Sequence, residues 1–122
     1  MTLNNIIVLN RGDSYEFDLT INDETSVDGR YHLKGDDAVY LGIMDPGQPF
    51  EEALIRKKVT VDDTDDEGNF NFEITPEDTL DLLPGKYFYS VKLRMSHSDE
   101  DTGETIEKVM TIINKTKFIL CD

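Results

Sequence analysis

Leu83-Pro84-Gly85-Lys86-Tyr87-Phe88-Tyr89-Ser90-Val91-Lys92-Leu93-Arg94-Met95 is the stretch on which the fold turns. After the Pro-Gly turn dipeptide, apolar side chains recur at every second position: Tyr87, Tyr89, Val91, Leu93 and Met95. Ser90, Lys92 and Arg94 fall between them. Successive side chains of a strand point to opposite faces, so this pattern predicts a strand with one face in a core and one toward water.

The same period recurs outward from this stretch. Tyr15, Phe17, Leu19 and Ile21 alternate with Glu16, Asp18 and Thr20. Val39, Leu41 and Ile43 form a third run, and Phe70, Phe72 and Ile74 a fourth. Ile55 to Val61 reads as a strand with Val59 and Val61 inward, and Ile6 and Val8 begin a short strand before an Arg11-Gly12-Asp13 turn. From Thr105 to Leu120 both parities carry apolar residues, which predicts one long final strand with a bulge at Asn114 that switches its inward side. Asp28-Gly29, Gly35-Asp36, Asp45-Pro46-Gly47 and Glu67-Gly68 separate the runs. Turns spaced by roughly ten residues are the pattern of a sandwich or barrel.

One helix is expected. Thr75-Pro76-Glu77-Asp78 supplies a capping Thr, a Pro at the first helical position and acids in the first turn. Pro84-Gly85 stops it within two turns, and Leu80 and Leu83 are expected against the sandwich edge. The resulting fold class is all-β: an Ig-like antiparallel sandwich of seven or eight strands, one domain over residues 1–122, with one short helix before the penultimate strand.

The string Leu83 to Leu93, preceded by Thr75-Pro76-Glu77-Asp78-Thr79, resembles the Ig-like β-sandwich proteins encoded among bacteriophage structural genes. These include the N-terminal domain of the phage baseplate upper protein family and small stand-alone relatives. The Arg11-Gly12-Asp13-Ser14 turn, the Tyr31 to Asp36 segment and the Thr116 to Leu120 ending extend the similarity over nearly the whole chain. The resemblance implies a virion location and other phage structural proteins as partners, with several copies around a symmetry axis one possible arrangement. In Ig-like domains a Tyr just inside the penultimate strand anchors its hydroxyl on upstream backbone, a role that Tyr87 can take here.

Composition narrows the function classes. Twelve basic and twenty-six acidic residues give a formal charge of −14 over 122 residues. That long-range field disfavours nucleic acid and anionic membrane surfaces as partners. No apolar run approaches the ~20 residues of a membrane span, and the N-terminal residues lack the pattern of a secretory signal, so synthesis in a cytoplasm is expected. Cys121 is the single cysteine, so no internal disulfide or thiolate cluster can form.

Arg11-Gly12-Asp13-Ser14 matches an adhesive tetrapeptide but is read as a turn. Five of the six residues Asp62 to Glu67 are acidic; with Gly68 as a turn glycine, Asp63, Asp65 and Glu67 fall on the first ligand positions of a calcium loop. The closing acid of that motif would be Ile74, so a solvated hairpin tip is expected instead. Ser98 to Gly103 makes a second acidic turn, and Asn114-Lys115-Thr116 fits a glycosylation sequon without an export signal to use it. His97 beside Asp99 lacks a motif-placed nucleophile. No catalytic residue, cofactor or metal is therefore expected. Tyr40, Phe50, Phe88 and Met110 lie off the best apolar parities and are the candidates for a contact surface. The expectation is a non-enzymatic phage structural or accessory protein, a virion, baseplate, neck or capsid-decoration module acting by protein–protein association. Two other classes compete: a small acidic inhibitor that mimics DNA toward a host nuclease or DNA-binding enzyme, and a carbohydrate-binding module, which the absence of Trp disfavours.

Overall fold

Alternating apolar residues with turn dipeptides between them give two sheets. The computed structural model describes residues 6–64, 68–99 and 101–122. Its strands are β1 (Ile7–Asn10), β2 (Tyr15–Leu19), β3 (Ala38–Met44), β4 (Ile55–Thr60), β5 (Phe70–Ile74), β6 (Gly85–Ser98) and β7 (Thr105–Cys121). Helix α1 (Pro76–Leu80) joins β5 to β6, and one-turn 3-10 helices occupy Phe50–Glu52 and Val61–Asp63. One sheet has the order β1-β7-β6-β3-β4, and β2 pairs with β5 in the other. Strands β7, β6, β3 and β4 side by side, facing β2 and β5, reproduce the G-F-C-C′ against B-E arrangement of the immunoglobulin sandwich.

Four of the five strand pairings are antiparallel, and β1 runs parallel to β7, from Ile7 opposite Phe118 to Asn10 opposite Cys121. The expectation of a purely antiparallel sandwich is corrected there. Sequence periodicity reports faces, not the direction of a neighbour 111 residues away.

Between the sheets, Phe17, Phe70, Phe72 and Ile74 pack on Leu41, Ile43, Tyr89, Val91, Leu93 and Phe118 in one buried cluster. Each such side chain contributes roughly 1.5–3 kcal/mol of transfer free energy. Phe17 and Tyr89 meet edge to face at 5.6 Å between centroids, a favourable aromatic geometry. The Tyr87 hydroxyl donates to the Leu83 carbonyl at 2.5 Å, making the expected tyrosine corner.

Several local expectations are corrected. On β1 it is Ile7 and Leu9 that turn inward, while Ile6 and Val8 are exposed. Val61 is 38% exposed because β4 ends at Thr60 and the chain turns into a 3-10 helix, which breaks the strand parity that would have buried it. Helix α1 starts at Pro76 with Thr75 as its cap, as expected, and the Thr75 N–H donates to Asp78 at 2.7 Å. Leu80 and Leu83 nevertheless point to solvent, Leu83 at 77%. Thr79 and Leu82 face the sandwich instead, because a single turn of helix presents only one narrow stripe. The buried Thr79 hydroxyl accepts the Gly12 N–H at 2.9 Å.

Strand β7 has two register shifts against β6, flanking the Val91–Ile113 pair. Its inward side therefore switches twice, from Met110 to Ile113 and back to Thr116, Phe118 and Leu120. Asn114 lies at the second of these shifts, between Ile113 and Thr116, where a parity switch is expected; the other, between Thr111 and Ile113, is not expected.

Candidate interaction surface

Cross-strand partners share a face, so the register sorts the four contact candidates. Tyr40 pairs with Lys58 and Lys92, on the side of the five-stranded sheet that looks away from the core. Phe88 pairs with Met44 and Lys117 on that same outer side. Phe50 reaches it from the loop after β3: a Cβ at Gly42 would lie 2.8 Å from the Phe50 ring, so the glycine makes a seat for it. Ala53, Met44 and Ser90 are buried on this side. Tyr40, Phe50 and Phe88 are each half-buried.

Met110 does not join them. It pairs with Leu93, whose side chain faces the core, and is 46% exposed. The second switch of β7 parity decides this. Met110 lines a cleft of about 350 Å³ with Ile21, Tyr31, Met95, His97 and Ile106, where the β6–β7 hairpin extends past β3 and the 21–31 segment folds beneath it.

The outer side is also where the cations are. Arg56 and Lys58 on β4, Lys86, Lys92 and Arg94 on β6, and Lys117 on β7 all hold outward register positions, six of the twelve basic residues in the chain. Glu107, opposite Ser96 near the hairpin tip, is the one acid in the same register; Asp45, Glu51 and Glu52 lie at the end where the Phe50 loop crosses. Lys92 sits 4.8 Å over the Phe50 ring and Lys58 5.7 Å over Tyr40, cation–π contacts that hold both aliphatic stems against the sheet. Arg56 donates to the Ala53 carbonyl at 3.3 Å and to the Glu51 carbonyl, and Lys115 reaches the Gln48 carbonyl at 3.2 Å, which ties down the loop. Among the described residues, none of Lys58, Lys86, Lys92, Arg94 and Lys117 forms an ion pair with a carboxylate.

The opposite outer face is small and acidic. On β2 and β5 the outward residues are Glu16, Asp18, Asn71 and Glu73, with Glu16 directly opposite Glu73. Like charges facing across a strand pair are destabilising.

A buried polar node lies beside the cleft, and sequence reasoning missed it. Asp37 is 1% exposed. Its Oδ2 accepts the Tyr31 hydroxyl at 2.5 Å and the Lys34 N–H at 3.2 Å; its Oδ1 accepts the Ser96 N–H at 2.6 Å and His97 Nδ1–H at 2.9 Å. Burial raises the Asp37 carboxyl, but the four donors outweigh it and hold it below the usual carboxylate range. Burial, then the bond to Asp37, pushes the Tyr31 phenol well above its ordinary value. His97 is thus engaged by Asp37 rather than by Asp99. Gly35 allows the approach, since a Cβ there would lie 2.9 Å from that of His97 and the backbone is left-handed at φ +59. The signal available in sequence was a Tyr and a His both able to reach one Asp, but Gly35-Asp36-Asp37 reads first as a turn.

The remaining candidates resolve locally. The Arg11 to Ser14 segment is a turn: Arg11 N–H bonds to the Cys121 carbonyl at 2.7 Å and its guanidinium pairs with Asp122 at 2.9 Å. Asp63 accepts the Thr60 N–H and hydroxyl, each at 3.0 Å, closing its own 3-10 turn. Those bonds lower its carboxyl below the usual value. Asp65 and Glu67, the other two residues of the calcium reading, lie outside the described residues. Among the described residues, no three His, Cys, Asp or Glu side chains are grouped to hold a metal ion, and no helix is long and apolar enough to cross a membrane. In comparisons with known proteins, no family model and no curated protein matches the chain.

Proposed function

We propose that this protein is a non-enzymatic structural or accessory component of a bacteriophage particle, a virion, baseplate, neck or capsid-decoration module. It works by binding other particle proteins through the outer face of its five-stranded sheet. The observation that carries the association is the segregation of charge: a chain of net −14 gathers half its cations, with no carboxylate ion pair to them among the described residues, around three half-buried aromatic rings on one sheet face. Aromatic and arginine side chains on a rigid sheet are the groups from which interface hot spots are made. The phage assignment rests on the resemblance carried by Thr75–Thr79 and Leu83–Leu93.

Tagged protein is used to capture partners from a lysate expressing its gene neighbours, beside a Lys58→Glu/Lys92→Glu variant. Recovery of portal, capsid, tail or baseplate proteins by the wild type and their loss with the variant is the expected result. Recovery of a nuclease or DNA-binding protein, unaffected by the variant and lost at high salt, would overturn the reading in favour of the acidic mimic, for which the Glu16, Asp18 and Glu73 face is the supporting feature.

A further inference from the structure

The two outer faces of the sandwich carry opposite charge at their strand positions. On one, Lys58, Lys92 and Arg94 line adjacent register rows with no carboxylate ion-pair partner among the described residues. On the other, Glu16 faces Glu73 and Asp18 lies two residues along, with no Lys or Arg at any outward position of β2 or β5. A surface that leaves like charges opposed on one side and gathers cations on the other is complementary to a copy of itself.

We propose that the chain self-associates head to tail, the basic outer face of the five-stranded sheet of one copy resting on the acidic outer face of β2–β5 of the next. The proposal extends the reading above by naming a second copy of this chain as one occupant of that face. Because the two patches lie on opposite sides of the molecule, the contact is heterologous: it propagates as a stack, or closes into a ring if each junction adds a rotation. The acidic patch spans two strands of five residues, about 5 by 17 Å of backbone, which is less than a standard interface provides. Each junction is weak, and association is expected toward roughly millimolar protein.

Net charge makes the salt dependence diagnostic. At about 0.01 M salt the screening length of about 30 Å lets the −14 monopoles repel each other. At about 0.15 M it shrinks to about 8 Å, so the monopoles are screened while contacting pairs still attract; at about 1 M, with a length of about 3 Å, the contacts are screened too. Association therefore passes through a maximum. A contact made by apolar burial alone would instead strengthen steadily with a salting-out salt.

The test is sedimentation equilibrium of the full chain across protein concentration at those three salt levels, with two charge-reversal variants, Lys58→Glu/Lys92→Glu and Glu16→Lys/Glu73→Lys. All the substituted residues but the half-buried Lys92 are exposed, and circular dichroism checks that both variants fold. The wild type is expected to exceed monomer mass most at intermediate salt, and each variant to weaken association at least tenfold. An equimolar mixture of the two regains it, since each supplies the intact face that the other lacks. A wild type that stays monomeric throughout, or variants that associate as the wild type does, would overturn the proposal. If the monomeric wild type still captures a particle protein that Lys58→Glu/Lys92→Glu loses and Glu16→Lys/Glu73→Lys keeps, self-stacking fails while the proposed function stands.

Discussion

Replacing Asp37 by Ala removes the acceptor of four donors at one stroke. Tyr31 Oη, Lys34 N, Ser96 N and His97 Nδ1 all lose their partner in a site that is 1% exposed. Hydrogen bonds to a charged group contribute about 1.5–3 kcal/mol each, but they do not add: the smaller side chain lets water from the adjoining cleft reach Tyr31 and His97. Breaking one buried charged network costs about 3–5 kcal/mol, and about 4 is the expectation here. With an unfolding entropy of ~2.1 cal/mol/K per residue over 122 residues, that lowers Tm by about 15 °C. Asp37→Asn separates charge from shape. Its carbonyl still accepts from Ser96 and His97 and its amide can donate to the Tyr31 oxygen, but it opposes the Lys34 N–H, so about 2 kcal/mol and half the Tm shift are expected. Urea unfolding and calorimetry supply the totals, and amide exchange at Ser96 and His97 supplies the local reading. Asp37 bridges the 31–37 segment to β6, so exchange should quicken at the hairpin before it does in β3. An Ala variant within 1 kcal/mol of wild type, or an Asn variant as stable as wild type, would refute the argument that ionised Asp37 organises this end of the sandwich.

Three further outcomes follow from the same structure. Tyr87→Phe loses the 2.5 Å bond to Leu83 while keeping the ring against Phe118, so denaturant unfolding should show a loss of about 1 kcal/mol. Gly42→Val drives a side chain into the Phe50 ring and the Ala53 methyl; a loss of about 1–3 kcal/mol is expected, and partner capture should fall because the aromatic seat is gone. For pH, the folded-state carboxyls of Asp37 and of Asp78 are both lowered; for Asp78, burial opposes the shift, while the ion pair with Lys57 at 2.6 Å and the bonds to Thr75 impose it. A depressed carboxylate adds stability above its unfolded value of ~3.9 that is lost as pH falls through the folded value. Tm should therefore be level from neutrality to about pH 5 and fall below about pH 4, with a shallower fall in Asp37→Asn; an unchanged slope in that variant would count against the assignment.

Much of this architecture is written locally. Period-two patterning places β2, β3, β5 and β6 because a one-residue slip would turn Phe17 or Tyr89 out of the core. The Thr75-Pro76 start and the Tyr87 corner are legible because their partners lie within four residues. What escapes is long-range. The parallel partner of β1 is set by Phe118 and Leu120, and Asp37 meets His97 across sixty residues. The bulges of β7 are invisible until β6 sets the register, which is why Met110 faces the cleft rather than Tyr40. Net charge is a single sum, and it hides that Arg56, Lys58, Lys92 and Arg94 share one side while Glu16, Asp18 and Glu73 share the other.

The pairing of Ile7–Asn10 with Phe118–Cys121 also imposes an order in time. A ribosome adding about 5–20 residues per second emits β1 on the order of ten seconds before the strand that receives it. Through that interval β3, β4 and β6 can zip together from neighbouring turns, while β1 waits with unbonded amides and with Ile7 and Leu9 in water. A nascent chain is thus most open at β1 to capture by a chaperone, or to exchange with the same strand of a sister chain. Emergence of Phe118–Cys121 closes that window.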